Sequence, residues 1–181
     1  VDFAAAREVA GADTVVVAQV TIDDEGNLRG GMDVESFTRK LDEWPADVIG
    51  CNCSVGPKVM LETVERMMRR GVCNVPLILT WVAIGGGFDA PNLYNLANFV
   101  RAVPDGAVLT LETSMLNVLP LNMMAIAMGL HVRCGIEDNL WNQSRTEKMS
   151  TVKQIEQLVR ISREFGREVA TGTKGGDTAK R

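Results

Sequence analysis

The stretch His131-Val132-Arg133-Cys134-Gly135-Ile136-Glu137-Asp138-Asn139 reads as a short buried strand that ends in two adjacent carboxylates, where turn residues usually stand. Neighbouring acids at the mouth of a parallel sheet cost energy unless a cation or a substrate uses them. Period-two alternation places Arg133, Gly135 and Glu137 on one side of that strand, so Arg133 and Glu137 are expected to face the same way. Outward from this stretch the pattern repeats. Residues 14–20, 47–53, 76–83 and 107–112 are near-continuous apolar runs, as parallel strands are when both of their faces are covered.

Segments of helical periodicity separate these runs, and the alternation is that of βα units feeding a parallel sheet. Asp33 caps a helix at its start, and Pro57 opens another that places Val59, Met60, Val64, Met67 and Met68 on one face as core. Further helices are expected over 91–101, 119–128 and 150–165, the last started by Ser150 and stopped by Gly166, with a first helix over 2–10. The expected fold is α/β, with about five parallel βα units derived from a TIM (β/α)8 barrel. A closed barrel typically takes about 250 residues and eight strands, so the expectation is a partial barrel or one completed by a second copy. Residues 1–170 are read as a single domain, and 171–181, rich in Gly, Thr and Lys, as a flexible tail.

The 181 residues include 46% hydrophobic and 23% charged ones and carry a formal charge of −4, so no basic field points to nucleic acid or anionic membrane. The apolar runs fall well short of the roughly 20 residues of a membrane helix. A small-molecule substrate is therefore the expected partner, with homo-oligomerisation. Cys51, Cys53, Cys73 and Cys134 show no disulfide spacing, which favours a cytoplasmic setting. The chain opens on Val1, and an N-terminal part is expected to precede it.

In such sheets chemistry gathers at the carboxyl ends of the strands. Asp23 and Asp24 lack calcium-loop spacing and read as a solvated turn. Cys51 and Cys53 flank Asn52 on one side of the second strand, as zinc ligands or as buried free thiols. Gly85, Gly86 and Gly87 after the third strand suit an anion-binding loop or a plain one. After the fourth strand Thr113, Ser114 and Asn117 offer hydrogen bonds. His131, at the start of its strand, is assigned a structural role at the amino-terminal face.

Two resemblances add to this reading. Ala18-Gln-Val-Thr, Gly31 and the run from Asp47 through Cys51-Asn-Cys-Ser-Val-Gly-Pro57 to Glu62 resemble the homocysteine S-methyltransferase family, over about residues 3–72. The resemblance implies a zinc-dependent barrel in which Cys53 is a metal ligand. From about Pro76 the residues 77–87, 92–100 and 125–129, with His131 to Leu140 and Val159 to Thr171, resemble the β-keto acid cleavage enzymes. That resemblance implies a zinc-dependent barrel that cleaves a β-keto acid with acetyl-CoA, giving acetoacetate and a new CoA thioester. It further implies Glu137 as a zinc ligand, Asp138 in proton chemistry and Arg133 assisting it; Gly85, Gly86, Ser114 and Asn117 are the residues expected, from their own chemistry, to face the CoA co-substrate.

The His-x-His ligands of the second family have no counterpart in a chain whose one histidine is His131. The halves 1–75 and 76–170 thus read as a mosaic or a fragment. Three functional expectations stand: zinc-dependent β-keto acid cleavage, homocysteine S-methyl transfer, and a catalytically incomplete scaffold. For residues 131–138 the plain alternative is an Arg133–Glu137 ion pair closing the sheet, with Asp138 capping the next element.

Overall fold

The computed structural model describes residues 3–28, 30–44, 46–52, 55–73, 77–84, 90–115 and 118–171. The chain divides into two compact units, Val1–Asn74 and Val75–Arg181.

In the first unit, α1 (Phe3–Ala10) precedes β1 (Val17–Val20), α2 (Val34–Asp42), β2 (Val48–Cys51) and α3 (Pro57–Arg69). β1 and β2 pair in parallel, with Ala18 opposite Ile49 and Val20 opposite Cys51. Asp33 caps α2 as expected, its Oδ1 accepting from Ser36 N at 2.9 Å. Pro57 occupies the first turn of α3, where its missing N–H is not needed. Ile22, Val34 and Met67 form the buried core, with Met60, Val55, Cys51 and Cys73 packed against it. Asp23 Oδ1 accepts from Asn27 N at 2.7 Å, so the acidic loop is a self-satisfied turn. Gly26 in this turn has a φ of +78°, and a Cβ on it would stand 2.5 Å from Arg66 Nη2 and 2.8 Å from Thr63 Oγ1.

In the second unit, β3 (Ile78–Ala83), α4 (Leu93–Ala102), β4 (Val108–Thr113), α5 (Val118–Ala127), β5 (His131–Val132) and α6 (Thr151–Glu164) come in order. The three strands pair in parallel in the order β3-β4-β5, with Val82 opposite Glu112 and Thr110 opposite His131. Trp81, Ala83, Leu96, Leu111, Leu121 and Ala125 make the core between the sheet and its helices. The Trp81 ring stacks on Phe99 at 5.3 Å between centroids. Helix ends are closed by side chains. Ser150 Oγ accepts from Lys153 N at the start of α6, and Gly166 at φ +81° ends it. Arg167 donates to the carbonyls of Ile126, Gly129 and Leu130 at the end of α5.

The α/β class with parallel strands therefore holds, and four of the five strands are shorter than the apolar runs suggested, β4 keeping its expected length one residue further on. The largest difference is in the fifth, where two residues pair in place of 131–137. Beyond Val132 the chain turns, and Glu137 sits in that turn with its side chain 81% exposed, so it does not share a strand face with Arg133. Among the described residues no helix is long and apolar enough to cross a membrane. The expected tail lies outside the described residues, apart from Thr171.

Candidate acid-base site

β4 delivers Glu112 near its carboxyl end. Leu109, Leu111 and Thr113 alternate with it and are also buried, so Glu112 projects from the other side of the strand. It is only 5% exposed. β5 lies alongside, and Arg133 N donates to Leu111 O at 2.9 Å, which brings the Arg133 side chain next to Glu112. Arg133 Nη1 stands 2.7 Å from Glu112 Oε2, while its Nη2 donates to Glu137 Oε2 at 2.5 Å. One guanidinium thus holds a buried and an exposed carboxylate.

The turn after β5 then positions the second acid. Asp138 N donates to Gly135 O at 3.1 Å, and Ser114 Oγ and Met115 N, from the segment after β4, donate to Asp138 O at 3.3 and 2.9 Å. Met115 takes a left-handed backbone, φ 67°, to make that contact, a conformation a non-glycine residue holds only where its surroundings enforce it. Asp138 is buried to the same degree as Glu112.

Glu112 Oε2 and Asp138 Oδ2 are both buried without a hydrogen-bond donor. The Arg133 contact to Glu112 is an ion pair whose N–H direction does not make a hydrogen bond. The two carboxyls lie close enough to share one if either carries a proton. Burial pushes the Glu112 carboxyl up to about 7, the hydrogen bond and charge of Asp138 add to the rise, and Arg133 opposes it. A buried acid raised to about 7 beside a second buried carboxyl can hold and pass on a single proton. Cys134, beside them, is raised by burial and by the Asp138 charge, so its thiol stays protonated.

Of the residues expected from the sequence, the structure brings Arg133 and Asp138 together with Glu112. Ser114 touches the backbone of Asp138. Gly85, Gly86, Asn117 and Cys53 lie outside the described residues. His131 is exposed, two residues before Arg133 on β5. Glu112 was not singled out from the sequence, yet a signal was present: a lone acid closing the apolar run 107–112.

Of the zinc ligands implied by resemblance, Cys53 lies outside the described residues and Glu137 is described. Glu137 is exposed and held by Arg133, and among the described residues no three His, Cys, Asp or Glu side chains gather as a metal site.

Known proteins similar to this chain point one way. A family model described as beta-keto acid cleavage enzyme matches residues 10–175. The 3-keto-5-aminohexanoate cleavage enzyme of Acetoanaerobium sticklandii is 32% identical over 120 residues, 66% of this chain and 44% of that protein. The enzyme of the same name from Fusobacterium nucleatum subsp. nucleatum is 29% identical over 114 residues, 63% of this chain and 41% of that protein. The chain spans less than half the length of these curated relatives. One family model runs through the junction expected near residue 75, so neither a mosaic origin nor a homocysteine methyltransferase half has support.

Proposed function

The chain belongs to the beta-keto acid cleavage enzyme family, and from that premise we propose that it supplies the proton-transfer machinery for cleavage of a β-keto acid with acetyl-CoA, giving acetoacetate and a CoA thioester. The observation that carries this reading is the buried Glu112–Asp138 pair flanked by Arg133. In the exchange the β-keto acid loses a proton from the carbon between its keto and carboxylate groups. That carbon displaces CoA thiolate from the acetyl group, the thiolate then takes the acyl fragment, and the proton returns to the acetoacetate carbanion. No oxidant or reductant is needed.

Asp138 is the group assigned to accept and return that proton. Glu112, whose own carboxyl is held up near neutrality, shares the proton with it, and Arg133 stabilises the charge that remains. Glu137 orients Arg133 from the solvent side. The names of the two relatives point to 3-keto-5-aminohexanoate as the β-keto acid to try first.

The test is acetoacetate release from 3-keto-5-aminohexanoate and other β-keto acids with acetyl-CoA. Turnover should be measurable, and Asp138→Asn should lower it about 100-fold or more, the scale of a positioned acid-base group. Absence of acetoacetate across the panel would sink the proposal. It would leave a scaffold with an incomplete site as the second reading.

A further inference from the structure

α6 carries two apolar faces. Gln154 and Leu158 are buried and hold the helix against its own unit. Val152, 62% exposed, and Ile155, 47% exposed, form a second stripe with the half-buried Val159. Their spacing of three and then four residues is that of a seam between paired helices. Ile136 extends the stripe past the start of the helix, since its N–H donates to Thr151 Oγ1 at 3.3 Å and it is itself exposed. A helix that already turns one apolar face to its own core gains nothing from showing water another.

The charges beside the stripe say what covers it. At 3.6 residues per turn Glu156 and Arg163 fall on one line along its edge, on the side away from Leu158. Both are exposed. Among the described residues neither is in an ion pair, although their neighbours are, Lys153 with Glu147 and Arg160 with Glu164. Two turns separate Glu156 from Arg163, about 10 Å along the axis, so they do not meet within one helix. A second copy of α6 laid antiparallel across a two-fold axis brings Glu156 of each helix opposite Arg163 of the other, with Val159 of both near the axis. A parallel copy sets like charges together. The helix thus carries both halves of a match to itself, which singles out its own copy as the occupant.

We propose that the Val152–Ile155–Val159 stripe of α6, flanked by reciprocal Glu156–Arg163 pairs, is an antiparallel interface between two copies of this chain. It does not depend on the cleavage reading.

The experiment is sedimentation equilibrium of the full chain, with circular dichroism to show that each variant keeps its helices. The wild type should dimerise. Glu156→Arg and Arg163→Glu, each alone, set like charges together at both pairs and should weaken dimerisation at least about tenfold. Ile155→Ser should weaken it too. An equimolar mixture of Glu156→Arg and Arg163→Glu chains should regain the dimer, because every contact in the mixed pair again joins an acid to a base. A wild type that stays monomeric at its highest soluble concentration overturns the proposal. So does a dimer that persists unweakened in any of the single variants, which would place the contact elsewhere. A mixture that stays dissociated overturns it as well, since the reciprocal antiparallel match is what the mixture reads.

Discussion

Glu112 concentrates the electrostatic tension of the second unit. It binds its proton more tightly folded than unfolded, since burial and Asp138 both penalise its charge. Its contribution to stability is therefore most favourable below the ordinary carboxylate range and is lost as pH rises through that range to about 7. Glu112→Gln removes the titration. The variant should be more stable than the wild type at about pH 8, by on the order of 1–3 kcal/mol, and the gain should vanish below about pH 4. Thermal melts at the two pH values check this, and a gain that does not depend on pH would refute it. Arg133 acts in the opposite sense. In Arg133→Met the Glu112 carboxyl should titrate still higher, seen by carbon-13 NMR of labelled glutamate side chains; a downward move would mean that Arg133 is not its counter-charge.

The elements depend on a few polar contacts at their ends. Arg167 closes α5 by donating to three carbonyls, so Arg167→Ala should destabilise the second unit by about 1–3 kcal/mol, with Arg167→Lys recovering part of the loss. Denaturant midpoints of the two variants would show it, and equal midpoints would not support the role. In the first unit Gly26→Ala places a methyl against Arg66 and Thr63 at a left-handed backbone position. A loss of more than about 1 kcal/mol is expected. Much of this level was legible beforehand: Asp33, Pro57, Ser150 and Gly166 are local signals whose physics lies within one helical turn. The fifth strand is shorter than its sequence pattern suggests because the chain turns away from β4 after Val132, although β4 itself runs on to Thr113. Val132 pairs with Leu111, and thereafter the chain turns to bury Asp138.

On the scale of the whole molecule, β4 is the central strand of the three-stranded sheet, with four of its six residues buried. The β1–β2 pair has no third strand among the described residues, and Val17 and Val48 are exposed. Amide hydrogen exchange should accordingly be slowest in β4 and faster in β1 and β2, since protection tracks burial and pairing on both sides. Uniform protection in the two sheets would contradict that picture. The sequence by itself determined the βα alternation, the helix starts and stops, and the placing of Arg133, Glu137 and Asp138 in one short motif, because each rests on residues near one another in the chain. Only the tertiary structure decided that Glu112, twenty-odd positions earlier, completes the acid pair, and that Glu137 faces solvent. Parallel pairing of β4 with β5 fixes both, and such pairing joins residues that no local periodicity connects.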